Sequence, residues 1–201
     1  MKSFLELTEE KTKKLAILFG RMNPPTKGHE ENVEGLKSLA AKQGADHLVI
    51  ASHSQDAKKN PLSHKDKIKY LGLGVPEADN HLSDEKSIKT PFQALQHLIE
   101  IGYTDVIMVV GQDRVSEFKN SIGNYVNHED PDKSFELNSF DVVSAGERDP
   151  DADGAEGMSG TKMRQLAATN RFKEFKRGVP SNLSDKYARE LFDTLRQSMK
   201  A

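Results

Sequence analysis

Leu15-Ala16-Ile17-Leu18-Phe19-Gly20-Arg21-Met22-Asn23-Pro24-Pro25-Thr26-Lys27-Gly28-His29 joins an apolar run to a glycine, two prolines that forbid helix, and the polar mouth of a new amphipathic segment. That succession reads as a buried strand, a sharp loop and a helix N-terminus. The first backbone N–H groups of a helix lack internal partners and carry the positive end of its dipole, so such a loop suits an anion, phosphate above all. Lys27, Gly28 and His29 add charge and donors at that point.

Outward from this stretch the pattern alternates strand and helix. A helix over 27–43 places Val33, Leu36, Leu39 and Ala40 on one face and ends near Gly44, and a second strand follows over 47–52. Strand, helix and strand with buried-type strands form a βαβ unit, whose crossover is right-handed almost without exception. A polar loop over 52–62 leaves the second strand at its carboxyl end, where open α/β sheets bind ligands. Ser63 is set to cap a helix over 63–73, and 74–89 reads as a connection. Pro91 to Ile101 is a helix with Phe92, Leu95, Leu98 and Ile99 inward, and the run over 105–110 is the most clearly buried strand.

That third strand stops at Gly111-Gln112-Asp113-Arg114; 113–126 reads as helical, 127–139 as a surface excursion and 140–145 as a fourth strand. The charged loop 146–157 delivers the chain to Met158-Ser159-Gly160-Thr161-Lys162-Met163-Arg164, where Ser159 caps a helix and the i, i+3 spacing puts Thr161 and Arg164 on one face. A last helix over 183–199 repeats Leu183, Tyr187, Leu191, Leu195 and Met199, a stripe read as packing on the domain. A weak helical pattern through Phe4, Leu5 and Leu7 precedes the first strand. The expectation is a doubly wound, Rossmann-like α/β fold: a parallel sheet with helices on both faces over 1–178, and a C-terminal helical extension over 179–201 packed on the same domain.

Composition narrows the function classes. Twenty-nine lysines and arginines against 31 acids leave a formal charge of −2, without the global basic excess of a nucleic-acid binder, so any cationic site is local. Without cysteine there is no disulfide, thiolate metal site or cysteine nucleophile. Met1 to Lys14 is charged with no apolar core, and no run approaches the roughly 18 to 20 apolar residues that cross a bilayer, so a cytoplasmic protein without membrane partners is expected. Asp149-Pro150-Asp151-Ala152-Asp153-Gly154 opens like a calcium loop but has Gly160 where a bidentate glutamate is needed. His29-Glu30-Glu31-Asn32-Val33 misses the zinc-protease pattern at its fifth residue, and neither a Walker A loop nor Gly-x-Gly-x-x-Gly occurs.

Gly20-Arg21-Met22-Asn23-Pro24-Pro25-Thr26-Lys27-Gly28-His29 resembles the Thr/His-x-Gly-His signature of the nucleotidyltransferase superfamily, in the form found in archaeal-type nicotinamide-mononucleotide adenylyltransferases and phage-encoded relatives. Met158-Ser159-Gly160-Thr161-Lys162-Met163-Arg164 resembles that superfamily's second signature, Ile-Ser-x-Thr-x-x-Arg. Thr26 stands where many members carry the first of two histidines. The resemblance implies transfer of AMP from ATP to a small phosphorylated acceptor, nicotinamide mononucleotide first, with Mg²⁺ held mainly by the nucleotide phosphates and no dedicated metal residues. It assigns catalysis to His29, Thr26, Arg164 and Lys27. Nucleotide contact falls to Phe19, Gly20, Arg21, Gly28, Gly111, Asp113, Ser159 and Thr161, and acceptor contact to Lys58 and Lys59. Class I aminoacyl-tRNA synthetases share the ancestral signatures, but this chain lacks the length and basic surface for a tRNA-binding module. Two other readings stand beside the first: a cytidylyltransferase using CTP and a phospho-alcohol, and a non-catalytic nucleotide-binding module. A homo-oligomer is compatible with all three.

Overall fold

A computed structural model describes residues 13–76, 78, 88–145 and 158–200. The helical pattern read through Phe4 to Leu7 and the charged loop 146–157 lie outside the described residues, as does most of the connection before Ile88. In chain order the regular elements are β1 (Lys14–Gly20), α1 (Lys27–Gln43), β2 (Asp46–Ala51), α2 (His64–Gly74), α3 (Pro91–Glu100) and β3 (Asp105–Val110). They continue with α4 (Val115–Gly123), β4 (Ser139–Ser144), α5 (Gly160–Ala168), α6 (Phe172–Phe175) and α7 (Asp185–Ser198).

The four strands form one parallel sheet in the order β2-β1-β3-β4, with Leu18 opposite Val49 on one side and Val109 on the other. Both faces are buried, and the two-residue period of a strand divides its side chains between them. Leu15, Ile17, Leu48, Ile50, Val106 and Met108 face one core with α3 and α4. Ala16, Leu18, Val49, Ala51, Ile107 and Val109 face the other, with Val33, Leu36 and Ala40 of α1 and Leu71 of α2. This is the expected α/β, Rossmann-like architecture with helices on both faces. From β1 the chain goes first to β2 on one side and later to β3 on the other, so a crevice opens between the carboxyl ends of β1 and β3.

A third core joins Leu62 and Tyr70 to α5, α6 and α7. Leu191, Phe192 and Leu195 are fully buried there, each contributing roughly 1.5 to 3 kcal/mol relative to exposure. The hydroxyl of Tyr70 lies 3.1 Å from Glu190 Oε1 and 3.2 Å from Thr194 Oγ1, which ties α2 to α7. The buried set of α7 is Ala188, Leu191, Phe192 and Leu195, while Tyr187 and Met199 are only partly covered. A strict spacing of four advances about 40° per step around a 3.6-residue helix, so the ends of the expected stripe rotate off the core face.

Several boundaries differ from the sequence reading. α7 begins at Asp185 behind the cap Ser184, and Leu183 packs from the preceding turn, its N–H donating to Pro180 O at 3.1 Å. The helix expected over 113–126 is a 3₁₀ turn, Gln112–Arg114, followed by α4, which ends at Gly123. β2 begins and ends one residue earlier than expected, although Ser52 N–H still donates to Gly20 O at 2.8 Å. β4 is likewise shifted by one. Such differences reflect fraying at element ends.

Candidate active site

At the carboxyl end of β1 the chain must leave the sheet and start α1 within six residues. Met22 takes a left-handed backbone, φ 46°, at a cost of about 1 kcal/mol, with its side chain fully buried. Asn23 follows, 3% exposed, and the Asn23–Pro24 peptide is cis. Thr26 has the extended backbone of an N-cap, and His29 is the third residue of α1. The Thr26 backbone N–H lies 3.1 Å from His29 Nδ1 and the Thr26 hydroxyl 2.9 Å from the same atom. A backbone N–H can only donate, so Nδ1 accepts and the neutral ring carries its proton on Nε2. Thr26 is 3% exposed and does not line the adjoining cavity, whereas His29 does. Thr26 therefore orients the imidazole instead of facing the cavity itself.

Asn23 links three segments. Its Nδ2 donates to Leu62 O at 3.2 Å and its Oδ1 accepts from Leu62 N–H at 3.0 Å, closing a two-way bridge to the segment before α2. Its own carbonyl accepts from Arg164 Nη1 at 2.7 Å, and Arg164 Nη2 donates to Thr161 Oγ1 at 3.0 Å. Burial, reinforced by the charge of Arg21, holds the Arg164 guanidinium below the ordinary arginine value. Ser159 caps α5 by accepting from Lys162 N–H at 3.2 Å. A Cβ on Gly160 would lie 3.3 Å from Asn23 O, so the start of α5 sits close against the β1 loop. Asn23→Ala is expected to lower stability by about 2 to 4 kcal/mol, since both polar groups of the fully buried Leu62 lose their partner. Urea unfolding measures this, and a loss below about 0.5 kcal/mol would show that Leu62 finds other partners.

The β2–α2 loop completes the site. Asp56 Oδ1 accepts from the N–H groups of Lys58 at 3.0 Å and Lys59 at 2.6 Å, and its Oδ2 accepts from Asn60 Nδ2 at 2.6 Å. These donors, Lys59 N–H first, hold the Asp56 carboxyl at about 2. Lys67 of α2 is fully buried, and its Nζ donates to Ser52 O at 2.7 Å and Ser54 O at 2.6 Å. Burial, followed by the charge of Arg21 and opposed by Asp56, pushes its ammonium down to about 8.

These segments enclose a cavity of about 370 Å³ at the carboxyl ends of β1 and β3. Phe19, Gly20, Arg21 and His29 line it from the first signature, Ser159, Thr161 and Arg164 from the second, and Lys59 and Gly111 from two further loops. Arg114 also lines it, its guanidinium carbon 4.6 Å from the centre of the Phe118 ring. Four lysines and arginines therefore converge on the cavity, and no carboxylate among the described residues lines it. Lys27 and Gly28 lie in the first turn of α1 and Lys58 in the Asp56 turn, all three outside the lining. Asp113 belongs to the 3₁₀ turn after β3, and its side chain lies outside the described structure.

No family profile matches the chain, and no curated sequence resembles it. Solved structures do share its backbone. The nicotinic acid mononucleotide adenylyltransferase of Plasmodium falciparum, complexed with NaAD, is similar with a TM-score of 0.57 at 13% identity, over 90% of this chain and 98% of that one. A Vibrio parahaemolyticus protein described as a nicotinate-nucleotide adenylyltransferase gives a TM-score of 0.52 at 17% identity, over 89% and 98%. The likeness shows a shared fold, a parallel Rossmann-like α/β sheet with helices on both faces. At these identities the likeness concerns the path of the chain, and what the side chains do rests on their own geometry.

Sequence reasoning missed Asn23, Asn32, Lys67, Arg114 and Phe118. Asn32 follows His29 by three residues on α1, so the helical period places both on one face, and both line the cavity. Lys67 precedes Tyr70 and Leu71 by three and four residues on the buried face of α2, a spacing that marks it as inward despite its charge.

Proposed function

We propose that the protein is a nucleotidyltransferase that moves AMP from ATP to a small phosphorylated acceptor, with nicotinamide mononucleotide the first choice. The observation that carries this reading is the convergence of both signature segments on one cation-lined cavity at the sheet's switch point. An acceptor phosphate oxygen bonds to the α-phosphorus of ATP, the bond from that phosphorus to the α,β-bridging oxygen breaks, and pyrophosphate leaves with the electron pair. Such a reaction needs positioning and charge neutralisation more than covalent chemistry. His29 offers its Nε2–H to the reacting phosphate, while Arg164 and Thr161 meet the departing phosphates at the N-terminus of α5. Thr26, standing where many members carry the first of two histidines, instead fixes the ring of His29, which favours the catalytic reading over a bare binding module. With no carboxylate among the described lining residues, Mg²⁺ would arrive on the phosphates' own oxygens and water, and no side chain here is assigned to it.

Pyrophosphate release tests the proposal. ATP and CTP are crossed with nicotinamide mononucleotide, nicotinate mononucleotide, phosphopantetheine and phospho-alcohols, with Mg²⁺ and a His29→Ala control. The acid form belongs in the panel because both structural neighbours are named for nicotinate acceptors. Acceptor-dependent release with ATP that disappears in the control supports the reading. Release with CTP alone replaces it with cytidylyl transfer, and nucleotide binding without release across the panel leaves a binding module. Within the same assay Lys59→Ala is expected to raise the acceptor's KM about tenfold, the worth of one charge-assisted contact. Lys58→Ala should change it less than twofold, because Lys58 lies outside the cavity lining.

A further inference from the structure

Lys67 is a fully buried lysine with no carboxylate at ion-pair distance among the described residues. Lysine is among the residues least often buried, and an ammonium taken from water is strongly disfavoured unless its donors are satisfied. Two of its donors go to carbonyls spaced by one residue, those of Ser52 and Ser54, directly after β2 ends. Without Lys67 these carbonyls have no regular ladder to join, because the last bond from β2 to β1 is the one made by Ser52 N–H.

The rest of the segment is fastened around the same point. His53 N–H donates to Ile88 O at 2.7 Å, and Ile88 N–H donates to His53 Nδ1 at 3.1 Å. The His53 ring stacks on that of His64, the first residue of α2, with centroids 3.6 Å apart. Beyond it Asp56 holds the turn that carries Lys59, and Asn23 bridges Leu62 at the far end. The loop is thus pinned at its exit by an asparagine from the β1 loop and at its entrance by a lysine inside the core.

We propose that Lys67 is a positioning residue for the acceptor side of the cavity: it sets the path of residues 52–60, and through that path the placement of Lys59. The inference rests on the reading of Lys59 as a contact to the acceptor's phosphate. Arg21, also on the cavity, and Asp56 are the charged groups that act on the Lys67 ammonium. A neutral side chain of similar length would relieve the burial cost while releasing the two carbonyls, so stability and substrate handling need not move together.

The test uses the full chain as wild type, Lys67→Met and Lys67→Gln. Hydrogen exchange is measured first, without substrate. The amides of His53, Ser54, Lys58 and Lys59 are expected to exchange at least tenfold faster in the variants, while those of 163–167 in α5 keep their rates. Kinetics follow with ATP, Mg²⁺ and nicotinamide mononucleotide: the acceptor's KM is expected to rise at least tenfold, with kcat and the KM for ATP within twofold. Unchanged exchange at 52–60 overturns the proposal. So does a KM for ATP or a kcat that shifts as much as the acceptor's KM, or failure of both variants to fold, which would make Lys67 a core residue only. A wild-type protein with no turnover strikes at the transferase reading alone, because exchange at 52–60 is read without substrate.

Discussion

His29→Ala is expected to lower kcat by about 10²- to 10³-fold, the usual cost of removing one preorganised donor from a developing oxyanion. The geometry makes this a donor effect. Nδ1 is engaged by Thr26, whose backbone N–H lies 3.1 Å away, so the ring has only Nε2–H to offer a phosphate. Folding should survive, since the substitution removes one half of a capping box, worth about 1 kcal/mol. His29→Gln separates this account from acid–base catalysis. Its amide N–H₂ can donate near the Nε2 position but cannot exchange a proton at neutral pH, so it should recover about tenfold over alanine. Equal activity of the Gln and Ala variants would contradict donation, and wild-type activity in alanine would remove His29 from the mechanism. Steady-state kinetics beside thermal melts distinguish these results.

The same residues show what a sequence conveys and what it conceals. The sheet was legible because β1, β2 and β3 are buried on both faces and so read as continuous apolar runs ended by polar or glycine residues. The helix starts were legible because Ser63 and Ser159 cap locally, each accepting from the third residue of its helix. The partners of Asn23 were not, because Leu62 and Arg164 lie 39 and 141 positions away, and a residue type does not disclose a distant backbone group. The signature assigns Thr26 to catalysis without showing how, and its burial and its contact with Nδ1 direct it to the imidazole. Lys58 and Lys59 were equivalent as a dipeptide. The Asp56 turn separates them, leaving only Lys59 on the cavity lining.

Arg164 carries the second large effect, and here geometry matters as much as charge. One end of its fork is held by Asn23 O at 2.7 Å and the other by Thr161 Oγ1 at 3.0 Å, so the guanidinium is aimed before any substrate arrives. Arg164→Ala is expected to reduce kcat/KM for ATP by about 10³, through loss of both the charge and the link between α5 and the β1 loop. Arg164→Lys keeps the charge on a single rotatable ammonium that cannot serve both anchors at once, so it should still lose about 10². The acceptor's KM should stay within about threefold in both variants, because Lys59 and its loop are anchored through Asn23 side-chain atoms, not through the carbonyl that Arg164 uses. Initial rates with ATP varied at saturating acceptor, and the reverse, provide the comparison. Wild-type kcat/KM in the lysine variant would reduce Arg164 to a point charge. An acceptor KM rising in step with that for ATP would mean that the two halves of the cavity are coupled through the Asn23 backbone and respond as one unit.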